Sequence, residues 1–257
     1  MDESMYTMLA SRHGLSTDFV IKDHYLMRLL QYISMFANKD FILTGGTAIN
    51  KGYLKEKARF SEDADFELRH KIKINELIGH LNEVATKAKD FSGTEKRLLK
   101  IYYQIDFKYR LPGSNGDKVR LDVAFNEIAP AWSNTSIEEI VSSFSEERVY
   151  GLNIYSLEEL LARKLYAVYR RTEGKDIYDL FYSLGLVERN RFYDASRRFF
   201  DYKKLDFKEV LPMVADKLRA IKHAYIAPRV NNYIPLKLRP KNWEIVSNSI
   251  ADYINNF

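Results

Sequence analysis

The chain carries two short segments, Leu43-Thr44-Gly45-Gly46-Thr47-Ala48 and Asp63-Ala64-Asp65-Phe66, which are separated by fourteen residues. The apolar run Phe41-Ile42-Leu43 leads into the first segment and is typical of a buried strand. The paired glycines allow the backbone to turn sharply and to approach a ligand closely. Thr47 is placed to cap a helix predicted over 48–55, and the amides at a helix start favour a phosphate.

The second segment predicts a strand with one acidic face. Acidic and apolar residues alternate from Asp63 to Leu68, so Asp63 and Asp65 point to the same side. Two such carboxylates raise each other's pKa unless a cation offsets their repulsion. Mg²⁺ does so, and it is typically held by one or two carboxylates plus substrate phosphates. A glycine turn or an acidic strand alone is common, so the inference rests on both in this order, with Ser61 leading into the acids.

A hairpin is predicted further along the chain. Residues 101–111 alternate polar and apolar side chains, a turn-rich segment follows over 112–117, and alternation resumes to Phe125. Asp122 lies in mid-strand on the polar face, where aspartate is disfavoured without a reason. It is a candidate third metal ligand or a base for an attacking hydroxyl. Asp106 occupies an equivalent position, and a cross-strand pair with Lys or Arg is the favoured interpretation for it.

A lysine interrupts an apolar helix face in the second half of the chain. Ser156 predicts an N-cap, and Glu159 completes a capping box. Lys164 then falls within the apolar stripe, where it either extends to water or reaches an anion such as a triphosphate. Asp176 stands in the first turn of the next predicted helix. It either caps that helix or orients Lys164 or Arg170 across the break.

Together these motifs resemble the AbiEii/AbiGii-type toxin family, which includes the MenT toxins. This family is a branch of the DNA polymerase beta-like nucleotidyltransferase superfamily. The resemblance spans about residues 40 to 185 and is carried by Leu43-Thr44-Gly45-Gly46-Thr47-Ala48, Arg59-Phe60-Ser61-Glu62-Asp63-Ala64-Asp65-Phe66, Leu121-Asp122-Val123, Leu160-Leu161-Ala162-Arg163-Lys164-Leu165-Tyr166-Ala167 and Lys175-Asp176-Ile177-Tyr178-Asp179-Leu180.

The resemblance implies an α+β fold, in which a nucleotidyltransferase mixed sheet flanked by helices is followed by a C-terminal helical bundle domain. Residues 1–150 would form the nucleotidyltransferase domain with N-terminal helices. Residues 151–257 would form a helical domain that contributes Lys164 and Asp176 to the cleft. Carried over by position, the assignments are Asp63, Asp65, Asp122, Lys164 and Asp176 as catalytic residues, Gly45, Gly46, Thr47, Ser61 and Lys164 as nucleotide-binding residues, and Asp63, Asp65 and Asp122 as metal ligands.

The implied reaction is Mg²⁺-dependent transfer of a nucleoside monophosphate from a nucleoside triphosphate to an acceptor hydroxyl. The expected acceptor is the 3′ end of tRNA, because some members of the family modify tRNA. A cognate antitoxin is an expected partner. The alternatives are a protein or small-molecule acceptor, and a non-catalytic nucleotide- or RNA-binding module. Three crowded carboxylates argue against a module that only binds.

The composition restricts the chemistry further. The chain has 257 residues, no cysteine and five scattered histidines, which excludes disulfides and zinc-thiolate sites. No apolar run approaches the length of a membrane span, and the start lacks a signal-peptide core. A cytoplasmic location without membrane attachment is therefore expected.

The net charge of +5 is unevenly distributed, since residues 151–257 carry +6 and residues 1–150 carry −1. Basic and aromatic residues are interleaved over 189–204. This segment is consistent with an RNA contact, in which cations hold the backbone and aromatic rings stack on bases. The favoured interpretation is a helix that has a charged outer face and an aromatic core face, because an excess of +6 is modest.

Helices are predicted through most of 1–38 and in the second half of the chain. The predicted ranges are 1–38, 73–90, 157–171, 176–184, 188–200, 207–224 and 241–255. A mixed connector is expected over 130–150, and a basic loop punctuated by prolines over 228–240.

Overall fold

The computed structural model describes residues 3–111, 116–125, 132 and 136–257. The chain divides into two compact units, Met1–Tyr155 and Ser156–Phe257. The sequence alone places the division between residues 150 and 151. In the structure a strand continues through that position to Ile154, and the second unit starts two residues later.

Within the described residues, the first unit is built on a mixed sheet of seven strands in the order β3-β4-β5-β2-β1-β7-β6. Its strands are β1 (Phe41–Thr44), β2 (Asp63–Leu68), β3 (Gly93–Leu98), β4 (Tyr102–Tyr109), β5 (Asp117–Ala124), β6 (Ser136–Val141) and β7 (Arg148–Ile154). β2 runs parallel to β5, and β1 runs parallel to β7. The remaining neighbours in the sheet are antiparallel. The mixed sheet and the helical second unit confirm the predicted fold class.

The period-two pattern correctly predicts the central strands. Apolar residues of β2 are buried, and its acidic residues are partly exposed. The hairpin of β4 and β5 is confirmed, although residues 112–115 of its predicted turn lie outside the described part of the chain. The predicted connector over 130–150 instead contains β6 and the start of β7, and its residues 130–131 and 133–135 lie outside the described part. A register shift between Glu138 and Ile140 breaks the alternation there.

Four α-helical segments accompany the sheet in the described residues of this unit, besides short 3-10 helices over Asn38–Asp40 and Lys55–Lys57. They are α1 (Glu3–His13), α2 (Thr17–Phe36), α3 (Gly45–Thr47), which continues as a π-helix over Ala48–Leu54, and α4 (Ile74–Lys87). The long helix α2 buries an apolar stripe and packs on β7, β5, β2 and the helices α1 and α4. π-Helical turns are rare, and they occur frequently at functional sites.

A buried ion pair anchors that π-helix to α2. The Lys51 ammonium group donates to Asp23 Oδ1, and Ser142 Oγ donates to Asp23 Oδ2 at 2.6 Å. Asp23 is 1% exposed and Lys51 is 2% exposed. Because both charges are desolvated, removal of one partner would leave the other without compensation. The segment that follows the paired glycines is therefore fixed in position.

The second unit is helical throughout its described length. Its helices are α5 (Leu157–Arg170), α6 (Gly174–Ser183), α7 (Arg189–Tyr202), α8 (Phe207–Arg219), α9 (His223–Val230) and α10 (Trp243–Asn255). α5 packs on α6, α7 and α8, while α10 packs on α8, α6 and α9. The single helix predicted over 207–224 is in fact two helices, α8 and α9. Pro228 lies within α9, so the predicted proline-rich loop begins later than expected.

The aromatic residues of α7 belong to the core of the second unit. Phe192, Phe199 and Phe200 are at most 4% exposed, and the basic residues of α7 lie on its outer side. The interpretation in which these rings stack on RNA bases is therefore wrong, and the amphipathic-helix interpretation is confirmed. No helix among the described residues has the length and apolar character needed to cross a membrane.

Gly174 gives a test of packing in the second unit. A Cβ atom at this position would lie 2.8 Å from side-chain atoms of Ile226 and Val230 on α9. Both neighbours are β-branched and have little rotamer freedom. We expect Gly174→Ala to lower the free energy of unfolding by about 1–2 kcal/mol, measured by urea denaturation.

Gly185→Ala is the matched control for that substitution, because a Cβ atom there has no neighbour within 4 Å. Its effect should stay within about 0.5 kcal/mol. Equal stabilities for the two variants would contradict the close approach of α6 and α9.

Candidate active site

The paired glycines bring the backbone directly against the acidic strand. Gly45 has φ +71°, and a Cβ atom there would lie 2.5 Å from Asp65 Oδ2. A Cβ atom on Gly46 would lie 2.7 Å from Arg59 Nη2 and 3.1 Å from Ser61 Oγ. Any larger residue at either position would displace these side chains. The glycines are thus required by contact with the residues around β2 as well as by the turn.

Thr47 joins the turn to β2 instead of capping its own helix. Helix α3 begins at Gly45, and the side chain of Thr47 is fully buried. The Thr47 hydroxyl donates to the Asp63 carbonyl at 2.5 Å and lies 2.9 Å from Ser61 Oγ. A hydroxyl has one proton, so Ser61 donates in the second contact. Thr47 is therefore not the helix cap that the sequence predicts, but a hydrogen-bonded link between the turn and the strand.

Asn50 and Arg59 complete this framework. Asn50 Nδ2 donates to the Gly46 carbonyl at 2.9 Å, and its Oδ1 accepts from the Arg59 amide at 2.8 Å. The Arg59 guanidinium is buried beside Gly46 and donates to the Phe60 carbonyl at 2.9 Å. The segment between the glycines and the acids is therefore held at both ends.

The sheet places three aspartates next to one another. Asp63 and Asp65 alternate with buried residues and share the partly exposed face of β2. The register pairs Asp65 with Thr44 on β1 and with Asp122 on β5. Asp122 Oδ1 accepts from Gln104 Nε2 at 2.8 Å. The glycine turn, Ser61 and the predicted acids thus lie together in the first unit.

Burial governs the titration of these acids. The pKa of Asp63 is raised, first by burial and then by the charge of Glu62, while Arg120 acts in the opposite direction. Burial also raises the pKa of Asp122, and the hydrogen bond from Gln104 counteracts it in part. Carboxylates whose charge is disfavoured in this way gain from a nearby cation. The site therefore favours a positively charged occupant.

Asp106 belongs to a separate ion-pair cluster. Its carboxylate is 1% exposed and accepts from Arg120 Nε at 2.9 Å and from Lys118 Nζ at 2.5 Å. Burial opposes its charge, but these two donors lower the pKa of Asp106 overall. The cross-strand pairing predicted for Asp106 is confirmed.

The donor set suits a divalent cation in its chemistry. Carboxylate oxygens are the ligands that Mg²⁺ prefers, and substrate phosphates commonly complete its coordination. In the described part of the chain, no group of three or more His, Cys, Asp or Glu side chains is arranged so that it could hold a metal ion. Asp63 and Asp65 fit the case in which the chain supplies one or two carboxylates and the substrate supplies the rest.

Lys164 and Asp176 meet inside the second unit. Lys164 Nζ lies 2.8 Å from Asp176 Oδ1 and 2.9 Å from Asp179 Oδ2, and both aspartates are at most 1% exposed. Arg171 Nε lies 3.3 Å from Asp176 Oδ2. Asp176 is interpreted from the sequence either as a helix cap or as a residue that orients Lys164 or Arg170. The ion pair with Lys164 agrees with the second interpretation. The Ser156 cap of α5 is also confirmed, since its hydroxyl accepts from the Glu159 amide.

Three residues of these clusters were not predicted as site residues. Asp179 follows Asp176 at a spacing of three residues, which places both on one helix face, so the sequence contained that signal. Gln104 follows from the hairpin register, which sets it opposite Asp122. The burial of Arg59 has no sequence signal that we can identify, because arginine is usually exposed.

Comparison with known proteins adds a family and a fold. Residues 28–243 match the family described as "Nucleotidyl transferase AbiEii toxin, Type IV TA system". The structure is similar to that of MenT4, a nucleotidyltransferase toxin from Mycobacterium tuberculosis, with a TM-score of 0.70, 15% identity and coverage of 100% of this chain and 90% of that one. At this identity the likeness shows the fold alone.

The antibiotic-resistance factor ANT(2'')-Ia aligns with a TM-score of 0.48 and 15% identity over 71% of this chain and 95% of its own. That score is too low to support an argument. No curated protein matches the chain in sequence.

The pKa of Asp63 is raised and that of Asp106 is lowered. Neutralising the two side chains should therefore change the free energy of unfolding in opposite directions. A raised pKa means that the ionised Asp63 lowers stability above that pKa, so Asp63→Asn should raise the free energy of unfolding by about 1 kcal/mol at neutral pH. This gain should shrink as the pH falls through the folded-state pKa of Asp63.

Asp106→Asn is the matched counterpart. Its lowered pKa stabilises the fold at neutral pH, and that contribution is lost only as the pH falls below the ordinary range for Asp. The variant should lose about 2 kcal/mol, because a buried charge-assisted hydrogen-bond network is broken. Urea denaturation across pH measures both changes, and equal signs at neutral pH would contradict the electrostatic assignment.

Proposed function

The chain belongs to the AbiEii family of nucleotidyl transferase toxins of type IV toxin–antitoxin systems, and on this basis we propose that it transfers a nucleoside monophosphate from a triphosphate to the 3′ end of a tRNA. The supporting observation is the contact between the Gly45 backbone and the Asp65 carboxylate. This close approach supports the proposal that the turn binds phosphate and that Asp65 binds metal in one site.

The glycine turn and the aspartates have different roles in binding the triphosphate. The backbone amides of Gly45, Gly46 and Thr47 hold the phosphates close to β2, while the hydroxyls of Thr47 and Ser61, which bond to one another, keep the turn in place beside them. Asp63 and Asp65 would hold Mg²⁺, which when bound would supply positive charge to offset that of the triphosphate. The framework of Thr47, Asn50 and Arg59 keeps these groups in fixed positions, as catalysis by positioning requires.

Asp122 completes the acidic set at the attacking side. Its raised pKa suits a group that takes up a proton. The 3′ oxygen of the acceptor forms a bond with the α-phosphorus, the bond to the β-phosphate oxygen breaks, and pyrophosphate leaves. The hydroxyl proton passes to Asp122, whose orientation is fixed by the hydrogen bond from Gln104.

Lys164 and Asp176 belong to the second unit. We assign Lys164 to the triphosphate, and Asp176 and Asp179, at 2.8 and 2.9 Å from its Nζ atom, fix the position of its ammonium group. The RNA acceptor is favoured by the charge of the second half of the chain, which carries +6 over residues 151–257. The cognate antitoxin and a cytoplasmic location are parts of the same proposal.

Gly45 offers the sharpest single-residue test of the site. In Gly45→Ala the new Cβ atom would meet Asp65 and would also carry the unfavourable positive φ. We expect nucleotide transfer to fall at least tenfold, because displacement of about 1 Å in such a site costs as much or more.

Gly93→Ala is the control in the same sheet, since a Cβ atom there has no neighbour within 4 Å. It should transfer nucleotides at the rate of the unmodified protein. Circular dichroism confirms that both variants are folded, and a folded Gly45→Ala variant with full activity would contradict the role of the turn.

The reaction itself is tested by label transfer. Each of the four α-labelled nucleoside triphosphates is incubated with total tRNA, Mg²⁺ and protein, and the RNA is resolved on a gel. We expect label on tRNA from at least one triphosphate, and a loss of at least a hundredfold in the Asp63→Asn/Asp65→Asn variant. Label on protein, or none on RNA with the folded enzyme, would contradict the tRNA acceptor.

A further inference from the structure

One segment of the second unit is basic without any acidic residue. Between Asp216 and Glu244 the chain has seven Lys and Arg residues and no Asp or Glu. The seven are Lys217, Arg219, Lys222, Arg229, Lys237, Arg239 and Lys241. The segment includes the end of α8, all of α9 and the whole stretch that leads to α10. Such a local excess of one sign attracts polyanions.

Several of these cations are not compensated by carboxylates. Arg219 pairs with Asp252 at 3.2 Å. Among the residues that the structure describes, Lys217, Lys222 and Arg229 have no carboxylate within salt-bridge distance. Lys217 instead donates to the Tyr169 carbonyl, and Arg229 donates to the Tyr225 carbonyl at 2.6 Å. This differs from the cluster around Asp106, where the cations are already paired.

An exposed aromatic ring lies among these cations. Tyr225 is 58% exposed, and the Arg229 guanidinium stacks 3.8 Å from its ring centroid. Lys217, Lys222 and Tyr225 line one cavity of about 400 Å³ together with Thr172. That volume falls in the range of small-molecule sites and is sufficient for one unstacked nucleotide. We call Lys217, Lys222, Tyr225 and Arg229 the Tyr225 surface.

We propose that the Tyr225 surface binds a single-stranded segment of RNA, with one base stacked on Tyr225 and the flanking phosphates on Lys217, Lys222 and Arg229. Base stacking on an aromatic ring combined with cations along the backbone is how proteins hold unpaired strands. This inference rests on the proposed function and extends it, because it assigns a part of the chain outside the catalytic residues to the acceptor.

The surroundings of the cavity favour RNA over an anionic membrane. Helices that bind at a membrane surface insert apolar side chains beside their cations. Here the large apolar residues at the cavity, Ile221 and Ile226, are at most 6% exposed and are not available for insertion. The exposed components are the Tyr225 ring with its polar hydroxyl, the charged Lys222 and the small side chain of Ala220.

Fluorescence anisotropy with a labelled single-stranded RNA of about 12 nucleotides tests the proposal on the full-length protein. The titrations omit triphosphate and Mg²⁺, so that binding is measured apart from catalysis. Tyr225→Ala should weaken binding about tenfold or more, since loss of one stacked base has that effect. Tyr225→Phe retains the ring and should bind as the unmodified protein does.

The charge component is tested by salt dependence. Lys222→Ala should weaken binding and lower the slope of log Kd against log salt concentration by about 0.7, the value for one phosphate contact to a single strand. Lys208→Ala removes an exposed lysine of α8 outside the surface and should leave the slope unchanged. Equal effects of the two lysine variants, or full affinity in Tyr225→Ala, would overturn the proposal.

Two further readouts separate this proposal from its alternatives. Binding to vesicles that contain phosphatidylserine, if weakened by Lys222→Ala while RNA binding is unchanged, would assign the surface to a membrane and overturn the inference. Loss of RNA binding in Tyr225→Ala, in a protein whose unmodified form transfers no label to tRNA, would support the surface while contradicting the proposed reaction.

Discussion

The contact between the Gly45 backbone and the Asp65 carboxylate is the constraint on which the rest of the site depends. With no side chain and a positive φ, Gly45 lets the chain leave β1 and turn directly against β2. Thr47 then ties the turn to the Asp63 carbonyl, and Asn50 ties Gly46 to Arg59. The result is a short, rigid segment in which a group suited to phosphate and groups suited to metal lie side by side. Such preorganisation is what phosphoryl-transfer chemistry requires of a protein.

The electrostatics of the two units follow one distinction, between charges that the fold compensates and charges that it leaves for a ligand. Asp106 is buried and accepts hydrogen bonds from Lys118 and Arg120 of β5, so the fold compensates its charge. Asp63 and Asp122 are partly buried, and their pKa values are raised by that burial. Burial thus disfavours their ionised form, as is common at functional sites. The Tyr225 surface carries positive charges that no carboxylate of the described residues pairs with, and these charges suit a polyanion.

The sequence predicts those parts of the structure in which local pattern and tertiary role agree. The alternation of polar and apolar residues predicts β2 and the hairpin of β4 and β5. The glycine turn followed by two aspartates predicts that the acids lie near the turn. Thr47 was misassigned because a hydroxyl at a helix start can bond to its own helix or to a neighbouring strand, and only the folded chain selects between them. The aromatic face of α7 was ambiguous for a similar reason, since a 3.6-residue period cannot tell a core from a stacking surface. β6 and β7 were missed where an irregularity interrupts the alternation.

The central claim is that the turn and the acids form one site for a metal-bound triphosphate. Isothermal titration calorimetry of a non-hydrolysable triphosphate, with and without Mg²⁺, tests it most directly on the unmodified protein and on Asp65→Asn. We expect Mg²⁺ to strengthen triphosphate binding at least tenfold in the unmodified protein, because a cation held by the carboxylates would also bind the phosphates. The coupling should be lost in Asp65→Asn. Triphosphate affinity that is independent of Mg²⁺, or coupling that survives in Asp65→Asn, would contradict a shared site.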